Sequence, residues 1–189
     1  MKLPWRWVAV ALWAACAHAP EQAQTHAASV ASYYPLAVGN RWVYGVDMLG
    51  EHHDEVVEIV KQENGYFVDA KGNPLAVDAF GLRDPKRYLL REPLEAGREW
   101  TNVVSVSSVE HYRILEAGTS CEAPAGKFEG CVRVESRNRI DNKTTLVNDI
   151  TFAPQVGMVR IEVAAEVGGQ HIPQHRLLLK SYRLASAAK

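Results

Sequence analysis

The sequence predicts an all-β domain, a strongly curved antiparallel meander sheet or incomplete barrel of roughly nine to eleven strands. Three observations predict it. After Tyr33 the chain divides into short runs in which apolar and polar residues alternate, the period-2 signal of half-buried strands. Gly, Pro and Asn punctuate those runs, as turns between strands require. No window sustains a 3.6-residue apolar period with helix caps.

The elements follow in order. Residues 41–49 (RWVYGVDML) place Trp42, Tyr44, Val46 and Met48 on one side of a first strand. Residues 55–62 form a second, and Asn64-Gly65 then supplies a hairpin turn, because both residues tolerate positive φ. Residues 66–70 return, and residues 71–74 turn again. Further strands are expected at 87–91, 103–107, 110–115, 131–136, 146–152, 158–165 and 176–184. A sheet that long must curl or close to bury its apolar face and limit its edges.

Two segments echo one another. PLAVGNRW (residues 35–42) and PLEAGREW (residues 93–100) share the spacing P-L-x-x-G-x-x-W. Pro ends the preceding run, Gly permits a positive-φ turn, and Trp falls on the first inward position of the next strand. A shared ancestral repeat and common turn chemistry both account for the echo. Either makes Trp42 and Trp100 core anchors.

The N-terminus reads as a targeting segment. Lys2 and Arg6 precede an apolar stretch, WVAVALWAA, which is too short to span a bilayer as a helix. Ala14-Ala15-Cys16 resembles a bacterial lipobox, in which the Cys becomes the lipid-bearing first residue. Trp13 stands where Leu is usual, so plain secretion by cleavage at a small-x-small site stays open. The expected organisation is a signal peptide at 1–15, lipid attachment at Cys16 with a flexible tether to residue 32, and one β domain at 33–185. The residue after Cys16 is Ala17, not an acid, which resembles the outer-membrane pattern.

Cys121 and Cys131 remain as an even pair in an oxidising compartment. They flank EAPAGKFEG, whose Pro and Gly read as a turn, so a disulfide between facing strands is expected. Two buried free thiols are the alternative. Zinc needs three or four close ligands, and no nearby His completes a set. Glu51-His52-His53-Asp54 reads as a polar turn. His171 and His175 have helical metal spacing, but Pro173 argues against a helix there. On a strand they would share a face about 13 Å apart, too far for one ion.

Lys plus Arg is 21, Asp plus Glu is 22 and the formal net charge is −1, which argues against a nucleic-acid surface. No nucleophile elbow, phosphate-binding loop, dinucleotide fingerprint or HExxH helix is present, so no catalytic residue, metal or cofactor is expected.

YYPLAVGNRWVY, APAGKFEGCVRV, FAPQVGMVRIE and LLLKSYRL together resemble the TapB-like group of exported bacterial proteins, many of them lipoproteins. The resemblance implies a curved antiparallel sheet outside the cytoplasm. It transfers no binding or catalytic residue, and Cys121 departs from its pattern. The expected function is a non-catalytic binding or assembly module, held to the membrane through a lipid and meeting an envelope protein. The alternative is a periplasmic carrier of a lipid or other hydrophobic ligand, because adjacent Val56-Val57 and the run of Leu177, Leu178 and Leu179 put apolar groups on both strand faces.

Overall fold

The computed structural model describes residues 29–185. A short helix, α1 (Val30–Tyr33), precedes twelve strands. These are β1 (Arg41–Met48), β2 (Glu51–Glu63), β3 (Tyr66–Asp69), β4 (Pro74–Asp78), β5 (Gly81–Arg83) and β6 (Tyr88–Arg91). They continue as β7 (Glu99–Ser105), β8 (Ser108–Ala123), β9 (Gly126–Arg139), β10 (Thr144–Ala153), β11 (Gly157–Val167) and β12 (Gln170–Arg183). The strands lie in one antiparallel sheet in the order β6-β5-β4-β3-β2-β1-β12-β11-β10-β9-β8-β7. Pairing of β1 with β12 joins the two ends of the meander, so the sheet nearly closes into a barrel with one seam, between β6 and β7.

The strand count exceeds the expected range by one. Of the two strands missing from the sequence reading, β4 begins at a proline and β5 has three residues, so neither shows an alternating run. In turn β8 runs well past residue 115, through Gly118 and Thr119-Ser120, with register shifts that absorb those residues. The domain also starts earlier than residue 33. Val30 is buried in the core and the Ser32 carbonyl accepts from Gln155 N at 2.6 Å, so residues 30–32 belong to the packed unit. Cys16 and residues 17–28 lie outside the described residues.

Register sets the faces. One inward row runs Ile114, Val134, Ile150, Ile161, Leu177 and Val46 across six strands. The opposite face carries a row of Glu99, Arg113, Glu135, Asp149, Glu162, Arg176, Asp47 and His52. A barrel that spans a bilayer needs an apolar outer band, and this charged row interrupts any such band.

One end of the barrel is plugged by aromatic side chains. Trp42 is wholly buried, stacks on Tyr34 at 5.3 Å and donates from Nε1 to the Val156 carbonyl at 2.6 Å. A Cβ on Gly157 would lie 3.1 Å from the Tyr34 ring and 3.3 Å from Trp42 Nε1, so the packing needs a glycine there. The β8–β9 hairpin completes the plug. Residues 126–131 of β9 pair with β8 and have no register with β10, and the tip reaches β12, where Ala125 N donates to the Leu179 carbonyl at 2.8 Å. A Cys121–Cys131 disulfide clamps this hairpin, with a Cα–Cα separation of 6.0 Å. The two cysteines are not directly opposite, because Cys121 pairs with Phe128 and Thr119 with Cys131.

The two P-L-x-x-G-x-x-W segments form the same turn. Gly39 and Gly97 have φ of 91° and 87°. Gly39 N donates to the Ile59 carbonyl and Ile59 N to the Asn40 carbonyl. Gly97 N likewise donates to the Ile114 carbonyl and Ile114 N to the Arg98 carbonyl. Each Trp then enters the core as the second residue of its strand, Trp100 being 6% exposed and stacked on Tyr112 at 5.2 Å.

Two outcomes are expected. Trp42→Ala and Trp100→Ala should each destabilise by about 3–5 kcal/mol in denaturant titration, the usual cost of truncating a core aromatic. Wild-type emission should be blue-shifted and resist acrylamide, and a red-shifted, easily quenched signal would contradict the burial. Non-reducing peptide mapping should recover residues 121 and 131 joined, and Cys121→Ser with Cys131→Ser should cost roughly 3 kcal/mol.

Candidate functional site

The seam is where the sheet departs from ordinary pairing. β6 and β7 are the two edge strands, and no backbone ladder joins them. A side chain takes its place. Asn102 on β7 points inward, and its Oδ1 accepts from Tyr88 N at 3.1 Å while its Nδ2 donates to the Tyr88 carbonyl at 3.1 Å. Trp100 Nε1 donates to the same carbonyl at 2.9 Å. A primary amide offers an acceptor oxygen and N–H donors, so it can supply the acceptor and donor that a neighbouring strand residue would present. Asn102 thus satisfies both backbone groups of Tyr88 where no ladder joins the two strands.

Beside it lies an ionic network. Arg87 Nη1 meets Glu110 Oε1 at 2.8 Å, and its Nε meets Asp84 Oδ2 at 2.8 Å. Glu110 is 5% exposed, and its second oxygen accepts from the Tyr112 hydroxyl at 2.8 Å. Burial and the neighbouring Glu110 carboxylate push the Tyr112 phenol far above its ordinary value. Burial works against the Arg87 charge, but Asp84 and Glu110 outweigh it. Removing one partner of such a buried pair leaves an uncompensated charge, which is more costly than the pair itself.

The outer side of the seam is a groove of about 530 Å³. Phe80 and Val103 border it as exposed apolar groups, and Arg83, Lys86, Arg87 and Arg91 supply cations. Arg83 Nε is held by Asp78 at 2.8 Å and its guanidinium lies 4.8 Å from the Tyr66 ring centroid. Burial raises the Asp78 carboxyl, but hydrogen bonds from Phe80 N, Arg83, Tyr88 and Gly81 N hold it below its ordinary value. Arg91 lies 5.4 Å from the Tyr88 ring centroid. Among the described residues neither Arg91 nor Lys86 has a carboxylate partner within ion-pair distance. The acids of the groove are engaged with protein donors, so the charge it offers outward is positive.

The residues singled out in the sequence distribute unevenly. Trp100 is part of the seam, whereas Trp42, Cys121 and Cys131 belong to the plugged end. Cys16 lies outside the described residues. His52 and His53 are not in a turn but near the start of β2, both exposed. His171 and His175 do not share a face, because a register shift between Val163 and Ala164 leaves Gln174 unpaired between them. Among the described residues no group of three or more His, Cys, Asp or Glu is placed to hold a metal ion. The residues that make the seam, Asn102, Glu110 and Arg87, were not singled out. Their signal was the inward parity of Asn102 and Glu110 within apolar alternation, a polar residue where a strand points to the core.

No family profile and no curated protein matches the chain, so the likeness to the TapB-like group rests on its turn and strand motifs alone. One solved structure is similar, a chain from Parabacteroides distasonis described as a "putative lipoprotein". It has 12% identity and a TM-score of 0.42, over 80% of this chain and 98% of that one. That description belongs to the Parabacteroides protein, and a likeness at this level carries nothing over to the present chain.

Asn102→Leu should open the seam, because the side chain keeps its bulk and loses both hydrogen bonds. Amide exchange at Tyr88 should accelerate at least tenfold while amides of the β10–β11 pair stay protected. Unchanged protection at Tyr88 would show that the amide does not close the sheet.

Proposed function

We propose that this chain is an exported lipoprotein, anchored through Cys16, that acts at the cell envelope as a non-catalytic binding or assembly module. The location rests on the stretch from Lys2 to Cys16, where a positive start, a short apolar run and Ala-Ala-Cys follow in the order of a lipoprotein signal. Ala17 supports the outer membrane as the address. A disulfide in the folded domain suits the same oxidising side of the membrane.

The observation that carries the binding role is the unsealed seam. A groove whose Lys86 and Arg91 have no carboxylate partner among the described residues, with exposed apolar borders, is a surface for recognition, and the acids around it are already hydrogen-bonded or ion-paired. The carrier reading has less support, since the inward face at the plugged end is filled by Trp42, Phe152, Val132 and Leu179, each wholly buried.

Metabolic labelling with a fatty-acid probe should mark the wild type and not Cys16→Ser. Crosslinking in intact cells, followed by mass spectrometry, should recover an envelope protein with the anchored form. An unlabelled wild type would remove the anchor, and stoichiometric co-purified lipid without a protein partner would favour the carrier.

A further inference from the structure

We infer that the seam groove receives an extended, acidic segment of a protein partner, laid beside β7 as an added strand. The inference rests on the binding role proposed above and names the partner's chemistry.

Unpaired strand edges invite pairing with other chains, and proteins commonly blunt them with charge, proline or bulges. Two other stretches of free edge in this sheet are blunted. β2 pairs with β3 only from Ile59 onward, so its first eight residues, EHHDEVVE, leave one side unpaired, and they are densely charged. β12 continues past the end of β1 at Met48, and that stretch holds Pro173 and an unpaired Gln174. β7 differs. After its first residue, Glu99, β7 reads WTNVVS to Ser105, with no charge and no proline. Val103 is 71% exposed. β-branched, uncharged and on an edge, this segment has the composition of a strand that pairs readily.

The groove beside it selects the occupant. Its far wall carries Lys86 and Arg91 without carboxylate partners, while Phe80 and Val103 flank it as apolar contacts. An added strand presents alternate side chains to opposite sides, so a segment that alternates acidic and apolar residues meets both kinds of group. A strand of about five residues spans roughly 17 Å. A strand there would also occupy the gap that Asn102, Trp100 and the Arg87–Glu110 pair now bridge.

The test uses the full mature chain with Cys16→Ser and a dye-labelled octapeptide alternating Glu and Val, followed by fluorescence anisotropy. Saturable binding is expected, with a Lys-Val octapeptide at least tenfold weaker. Replacing one central Val of the probe by Pro should weaken binding at least tenfold, because proline removes a ladder donor. The double variant Arg91→Glu with Lys86→Glu, and separately Val103→Asp, should each lose at least tenfold, whereas Lys143→Glu in the β9–β10 turn should not. If the double charge reversal lowers the thermal midpoint, Arg91→Gln with Lys86→Gln serves in its place. Absence of binding would overturn the inference. So would equal affinity for the Pro-containing peptide, or equal competition by heparin or phosphatidylglycerol vesicles, either of which would make the groove a general polyanion surface. Crosslinking to an envelope protein that is indifferent to all seam variants would overturn this inference and leave the broader binding role standing.

Discussion

The amide of Asn102 occupies the place of a missing strand. A twelve-stranded meander whose first and last strands pair has no free ends except where the chain passes from β6 to β7. There the backbone does not close the sheet, and the two groups of Tyr88 would be left unpaired at a half-buried edge. Unpaired buried backbone groups are costly. Asn102 and Trp100 satisfy them, and the Arg87–Glu110–Tyr112 network adds a second tie across the same gap. The curvature of the sheet follows, since β6 and β7 must come within reach of one side chain.

The two Trp turns hold different parts of this closure. The turn before Trp42 belongs to the plugged end, where Asn40 joins the chain's ends by donating to the Pro35 carbonyl at 2.6 Å and accepting from Ala185 N at 2.7 Å. The turn before Trp100 connects the two edges of the seam. Equal local chemistry therefore serves two tasks, and the difference lies in the acceptor that each indole finds: Val156 on the chain between β10 and β11, or Tyr88 on β6. The helix α1 ties the N-terminal entry to the same region, as Val30 N donates to Glu92 Oε1 at 2.7 Å between β6 and β7.

The charged outer row and the filled plugged end together describe a barrel with a polar row on its outer face and a packed end. Its polar inward positions gather away from the plug. Asn102, Glu110 and Asn138 pair across β7, β8 and β9, and Ser136 and Asn148 pair across β9 and β10. Such a gradient permits an ion pair at the seam, because Glu110 sits among polar groups at its own level.

Much of the fold was legible in the residues themselves. Alternation located ten of the strands, Asn64-Gly65 marked a hairpin, and the shared P-L-x-x-G-x-x-W marked two turns that have the same hydrogen bonds. These are local properties: side-chain period, positive φ and turn chemistry act within a few residues and leave their trace in sequence order. The candidate site was not legible in that way. Asn102 and Tyr88 are fourteen positions apart, on strands that never pair, and Arg87, just before β6, and Glu110 are twenty-three apart. The pairing of β1 with β12 brings residues from opposite ends of the chain together, and only that closure sets β6 facing β7. Bulges decided the rest. They shifted the register across β8, β9 and β12, separated His171 from His175 by face, and offset Cys121 from Cys131. The sequence by itself determined an all-β domain and its anchoring tryptophans. The tertiary structure decided where the sheet stops pairing, because an edge is defined by the strand that is absent beside it and not by the residues it contains.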